Sequence, residues 1–135
     1  MMIREYTTYD GAEILPLYDS AGWTVYTKDP ERLAAAFAAS LLTLAAYEDG
    51  KLVGIVRAVG DGTTIVFIQD LLVLPDFQRR GIGKELLQAV LDRFADVYQI
   101  QLTADDRGDL LRFYRSMGFQ PLREMGCCGL LKVEP

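Results

Sequence analysis

The sequence contains no histidine, and this absence excludes Ser-His-Asp and Cys-His nucleophile systems, His-ligated zinc and the imidazole base. Any proton transfer must therefore use Tyr, Asp, Glu, Lys or Cys. Cysteine is scarce too: Cys127 and Cys128 stand side by side. Neighbouring strand residues point to opposite faces, so a bridge between them would be strained and no disulfide framework is implied. Positive charge is in deficit, 14 Lys and Arg against 19 Asp and Glu for a net charge of −5. Phosphate neutralisation needs a positive footprint, so a nucleic-acid partner is not expected, and cationic partners are mildly favoured. No apolar run approaches the roughly 18 residues of a membrane helix. The start, Met1-Met2-Ile3-Arg4-Glu5-Tyr6, reads as a strand rather than a signal peptide. No membrane partner and a cytoplasmic location are the expectations.

What is present suits one compact domain over residues 1–135, half of them apolar. Asp10 to Ala21 has near-helical apolar spacing with Asp10 as a cap, and Gly22 to Thr27 breaks the period. Asp29-Pro30 opens a second helix, with Leu33 and Phe37 inward. Leu42–Tyr47 and Lys51–Val59 flank Asp49-Gly50, a hairpin signal. Thr63 to Leu74 is nearly continuous in apolar residues and reads as a central strand buried on both faces, ended by Pro75. An amphipathic helix from Ile82 to Phe94, a strand at Tyr98–Thr103 and a helix at Asp109–Met117 stopped by Gly118 follow. Phe119–Glu124 and Cys127–Val133 read as a closing pair of strands. The order β-α-α-β-β-β-α-β-α-β-β predicts an α/β fold with a mixed sheet flanked by about four helices.

The chemistry concentrates where the central strand passes through Pro75-Asp76-Phe77-Gln78-Arg79-Arg80-Gly81-Ile82-Gly83 into a helix. Free N–H groups gather at such a helix start, and the site attracts phosphate. Gly81 and Gly83 permit close approach or positive φ, while Arg79, Arg80 and Lys84 add charge. An ordinary strand-to-helix turn with exposed basic residues is the alternative. A dinucleotide fingerprint fails because Gly81-Ile82-Gly83-Lys84-Glu85-Leu86 ends in Leu, and a phosphate-binding Walker loop fails because Glu85 follows Lys84. Asp70 is anomalous inside an apolar strand, where an unpaired carboxylate costs several kcal/mol.

The stretch from Asp70 to Gly83, followed by Phe113-Tyr114-Arg115-Ser116-Met117-Gly118-Phe119, resembles the GNAT superfamily of acyl-CoA-dependent N-acetyltransferases. Gln78, Gly81 and Gly83 satisfy the family's phosphate signature, and Tyr114, Gly118 and Phe119 match its tyrosine before a Gly-Phe pair. The resemblance implies acetyl-CoA as cosubstrate, with Gln78, Arg79, Arg80, Gly81, Ile82, Gly83 and Lys84 around its pyrophosphate. The pantetheine arm would lie as a pseudo-strand on backbone groups of Leu72, Val73 and Leu74. It further implies Tyr114 as general acid toward the departing thiolate and Asp70, or a water, as base toward the amine. Tyr114 packed as a helix-face aromatic, and Asp70 hydrogen-bonded to neighbouring loops, are the alternatives. Trp23 and Tyr26, between the first two helices, would line the acceptor pocket or cap the core. Many members carry Asn seven residues before the tyrosine, where this chain has Arg107.

The resulting expectation is direct acetyl transfer to a primary amine of a small molecule or peptide, with no metal required. A non-catalytic CoA-binding sensor of the same fold is the rival reading. A homodimer is expected because exposed terminal strands often pair.

Overall fold

The computed structural model describes residues 1–134. The chain divides into two compact units, Met1–Thr103 and the segment from Ala104 onward. The first unit holds a five-stranded sheet in the order β1-β2-β3-β4-β5. Its strands are β1 (Met2–Glu5), β2 (Leu42–Glu48), β3 (Lys51–Gly60), β4 (Ile65–Val73) and β5 (Gln99–Leu102). The first four strands pair antiparallel in sequence order and β5 joins β4 in parallel, which gives the mixed α/β sheet that the element order predicts.

Helices α1 (Gly11–Ser20) and α3 (Pro30–Ala39) begin where the cap residues place them, and α4 (Ile82–Arg93) begins at the glycine turn. Asp10 accepts from the Ala12 N–H, and Asp29 accepts from the Arg32 N–H with Pro30 at the first helical position. Ile14, Leu17 and Tyr18 of α1 and Leu33 and Phe37 of α3 share one core with Ala45, Ile55 and Leu72 of the sheet. Helix α4 buries Ile82, Leu86, Leu87 and Val90. Gly54 on β3 admits this helix closely, because a Cβ there would stand 3.2 Å from Leu86 Cδ1, 3.3 Å from Ile82 Cγ2 and 3.1 Å from the Leu72 carbonyl oxygen. Helices on both faces explain why β2 and β3 bury long consecutive runs instead of alternating.

Three expectations change. The linker Gly22–Thr27 contains a short helix, α2 (Thr24–Thr27). Burial along β4 alternates rather than covering both faces throughout, with Val66, Ile68, Asp70 and Leu72 buried and Gln69 exposed. The closing strands do not form. In the second unit, α5 (Gly108–Ser116) is followed by a 3₁₀ turn over Leu122–Met125. Pro121 has no N–H to give a ladder, its carbonyl accepts from Glu124, and Gly126 adopts positive φ so that the Cys127 N–H reaches the Leu122 carbonyl. Residues 128–134 follow without regular structure. Among the described residues, no helix is long and apolar enough to cross a membrane.

The turn that starts β4 is organised by Asp61. Its carboxylate accepts from the backbone N–H groups of Thr63, Thr64 and Ile65 and from the Thr64 hydroxyl. The Thr64 hydroxyl, and then the three backbone donors, hold this carboxyl well below the usual value of 3.8. A group with a depressed folded-state pKa stabilises above its unfolded value and loses that contribution as pH falls through the folded one. Asp61→Ala is therefore expected to lower the melting temperature at pH 7. The gap from wild type should narrow as melting curves are recorded at successively lower pH below about 4.

Candidate functional site

β4 is paired on both edges only at its beginning. β5 runs beside it from Ile65↔Gln99 to Ile68↔Leu102, and β4 then continues to Val73 with no strand on that edge among the described residues. The divergence coincides with a bulge. On the β3 side the register passes from Arg57↔Asp70 to Ala58↔Ile68, which leaves Gln69 as an extra residue. An extra residue disrupts the ladder, increases local twist and re-aims side chains.

The parity of the backbone beyond the bulge decides which groups face the open edge. The Leu74 N–H donates to the Val53 carbonyl at 2.8 Å, so it belongs to the β3 ladder. Alternation turns the Leu72 amide the same way and directs the Leu71 and Val73 amides to the free edge. Of the expected pseudo-strand residues, Val73 turns its backbone groups to the free edge, and its carbonyl also accepts from Gln78 Nε2 at 3.0 Å. The Leu72 and Leu74 amides face β3, and the Leu71 amide faces the free edge with Val73. Apolar composition could not reveal this, because parity depends on where the bulge falls.

From Val73 the chain makes a 3₁₀ turn over Pro75–Phe77 and enters α4. Arg79 at φ 64° and Gly81 at φ 84° are both left-handed, and no side chain caps this helix. The first N–H groups of α4 therefore have no intrahelical acceptor. Gln78, Arg79, Arg80 and Lys84 are exposed around them, whereas Ile82 is buried and offers only its backbone. A Cβ on Gly83 would meet nothing in the chain closer than Val73 Cγ2 at 3.8 Å. Internal packing does not demand a glycine there. Phe77 gathers further charge, with the Arg80 guanidinium 5.0 Å and Lys51 Nζ 5.7 Å from its ring centre. Lys51 was not among the sequence candidates, since the hairpin carries it from elsewhere in the chain.

Asp70 is buried to 1% exposure and is not alone. Its Oδ2 accepts from Arg57 Nε at 2.7 Å and from the Tyr18 hydroxyl at 2.5 Å. Arg57 Nη1 also donates to Ser40 Oγ at 3.1 Å, which ties the end of α3 to the same cluster. Asp70 Oδ1 has no partner among the described residues. Burial, and next the adjacent Asp70 carboxylate, push the Tyr18 hydroxyl far above its ordinary pKa, so Tyr18 stays protonated and donating. Trp23 and Tyr26 pack around Tyr18 with ring centres 6.1 and 5.5 Å away, and the Tyr26 hydroxyl lies 3.5 Å from Gln69 Nε2.

In the second unit, Tyr114 sits late in α5 between Phe113 and Phe119, with ring centres at 5.0 and 5.9 Å. Gly118 at φ 94° closes the helix, and the Phe119 N–H returns to the Tyr114 carbonyl. Burial raises the Tyr114 hydroxyl pKa. Arg107, in the place where many GNAT members have Asn, precedes α5 and pairs with Asp109 through Nε and Nη2 at 3.0 and 3.1 Å. Cys127 and Cys128 are exposed thiols.

Comparison with known proteins matches residues 8–119 to the acetyltransferase (GNAT) family, and the chain belongs to that family. It is similar to an uncharacterized N-acetyltransferase, ycf52, of Porphyra purpurea, with 32% identity over 111 residues covering 79% of this chain and 63% of that protein. The chain thus spans somewhat under two-thirds of the length of that relative. A GNAT-family acetyltransferase structure from Streptococcus pneumoniae TIGR4 superposes with a TM-score of 0.90 at 38% identity, covering 98% of this chain and 97% of that one. The fold is also that of the aminoglycoside N-acetyltransferase AAC(6')-Iy solved with CoA, at 19% identity and TM-score 0.68 over 99% of this chain and 93% of that one.

The buried pair yields a stability test. Removing one member of a buried ion pair strands the other charge, at a cost of about 3–5 kcal/mol. Asp70→Ala is expected to lose that much in urea unfolding, whereas replacing the exposed partner in the Arg93–Glu5 pair should change stability by less than about 1 kcal/mol.

Proposed function

We propose that the chain is an acetyl-CoA-dependent N-acetyltransferase that passes the acetyl group to a primary amine in a ternary complex. The observation that carries this reading is an unpaired β4 edge running directly into the uncapped N-terminus of α4. The residues fit the cosubstrate. Val73 and Leu71 offer strand-like backbone groups to the pantetheine arm, and the first amides of α4 offer donors to the pyrophosphate. Gly83, which packing leaves free to be larger, lets a diphosphate lie against the backbone. Arg79, Arg80 and Lys84 supply the neutralising charge. The CoA complex of the aminoglycoside enzyme of the same fold supports the choice of cosubstrate.

In the transfer, the neutral amine nitrogen attacks the thioester carbonyl carbon, the C–S bond breaks, and the thiolate needs a proton. A backbone N–H on the free edge of β4 stabilises the charge on the carbonyl oxygen. Tyr114 is the acid: its raised pKa keeps the hydroxyl protonated at neutral pH, as a donor must be. The proton lost by the amine goes to water or to Asp70. Water is favoured, because Asp70 Oδ2 is engaged by Arg57 and Tyr18. Trp23 and Tyr26 form a wall for the acceptor.

Melting curves with acetyl-CoA, CoA, ATP and NAD provide the first test. A ligand at about 100 times its dissociation constant adds roughly 2.7 kcal/mol, so the two CoA ligands should raise the melting temperature and ATP and NAD should not. Absence of a shift with CoA refutes the reading. Tyr114→Phe should keep the CoA shift and lower kcat by about 100-fold or more once an acceptor is found by amine screening. An unchanged kcat in this variant removes Tyr114 from the mechanism.

A further inference from the structure

We infer that Arg57 and Tyr18 are positioning residues that act through Asp70 to hold the Gln69 bulge, and thereby aim the free-edge amide of Leu71. The inference rests on the acetyl-transfer reading for its kinetic consequence, but not for its structural one.

The bulge is a point of choice for β4. With one residue more or fewer opposite β3, every later side chain changes face and every later amide changes edge. The alternation observed depends on the present register. Leu72 joins the core of α1 and α3, Val73 lies within 3.8 Å of the Gly83 position on α4, and the Leu74 amide pairs with Val53. A slip would turn Leu72 toward α4 and place the Leu74 amide, rather than Leu71 and Val73, at the open edge.

The sequence around the bulge does little to fix it, because Val66-Phe67-Ile68 and Leu71-Leu72-Val73 are apolar on either side and tolerate either face. The polar residues carry the specification. Gln69 and Asp70 are consecutive, yet both side chains reach the α1–α2 segment, Gln69 toward the Tyr26 hydroxyl and Asp70 toward the Tyr18 hydroxyl. Successive residues of a regular strand would point to opposite faces. The shared direction is the signature of the extra residue. Arg57 is the register partner of Asp70 at the last step before the shift, and its Nε binds the same Oδ2 that Tyr18 binds. A one-residue slip would bury Asp70 away from both donors and leave Arg57 without an anion. The ion pair therefore penalises the slipped register by the cost of a stranded buried charge.

Ser40 extends the hold to the end of α3 through Arg57 Nη1. The charged and polar groups facing Asp70 are thus Arg57 from β3 and Tyr18 from α1, with Ser40 bound to the far side of the guanidinium. The arrangement couples the α1–α2 segment, which carries Trp23 and Tyr26, to the strand edge that would polarise the thioester.

The test uses Tyr18→Phe and Arg57→Lys in the full chain, each of which removes or shifts one donor to Asp70 while keeping bulk, together with Asp70→Asn. Amide exchange of the free protein is followed at Leu71, Leu72, Val73 and Leu74. In wild type, Leu72 and Leu74 should be protected and Leu71 and Val73 should exchange fast. The Tyr18 and Arg57 variants should blur this alternation by about tenfold at Leu72 and Leu74 relative to β2, and an unaltered pattern overturns the inference. That readout needs no activity, so failure of the acetyl-transfer reading leaves it intact and is seen separately in the CoA melting shift. Where activity is measured, Tyr18→Phe should lower kcat by about tenfold with KM for acetyl-CoA changed less than about twofold. A lowered melting temperature with kcat unchanged would make the cluster merely structural and sink the proposal. So would loss of the acidic limb of the pH–rate profile in Asp70→Asn with kcat intact in Tyr18→Phe, since Asp70 would then be the base itself.

Discussion

The pairing of Arg57 with Asp70 between β3 and β4 is the interaction on which the rest of the arrangement turns. Two opposite charges on adjacent strands, both buried, are costly to place and more costly to separate. Their partners come from α1 and from the end of α3, so one polar cluster joins the helical layer to the sheet at the point where β4 leaves β5. An apolar pair of equal volume would pack there as well, and several registers of an apolar strand would bury comparable area. A carboxylate with two donors in fixed places satisfies one register. In the role proposed above, the cluster serves the register more than net stability.

Much of this architecture was legible from residues alone, and the reasons are local. Asp49-Gly50 fixes the β2–β3 hairpin, and both residues adopt positive φ as such a turn requires. Asp10 and Asp29-Pro30 mark helix starts with their own hydrogen bonds. The glycine turn before α4 follows from Gly81 needing left-handed φ. Each of these signals is complete within a few residues.

What was missed is non-local. Arg57 sits inside an apolar strand as anomalously as Asp70 does, and the two lie 13 residues apart across a predicted hairpin pair. That shared anomaly was the available clue to their pairing. Tyr18 looked like an ordinary helix-face aromatic because its partner is 52 residues away. The bulge falls at the polar pair Gln69-Asp70, but nothing local shows that one of them is an extra residue, because the Ile, Val, Phe and Leu on either side fit either face. The expected strands after Phe119 have suitable composition, but a strand needs a ladder partner, and an isolated hairpin is marginal in water. Pro121 and Gly126 instead favour the compact turn that forms.

Unsatisfied backbone donors are normally a liability, and proteins bury, pair or cap them. Here two sets stand close together in the chain, at the free edge of β4 and at the bare start of α4, with only residues 74–81 between them. The first is created by the bulge and the end of β5, the second by a glycine N-cap that has no side chain to accept from the helix. Either alone would be an ordinary irregularity. They are joined by a short turn that carries Gln78, Arg79 and Arg80 and pairs its own Phe77 and Gln78 amides internally, so two separate groups of free N–H donors stand at its two ends, extended at one and convergent at the other. An amide-bearing extended arm attached to a diphosphate would complement both. The pantetheine pyrophosphate of the proposed cosubstrate has that form, so the family reading and the donors that the fold leaves unpaired agree.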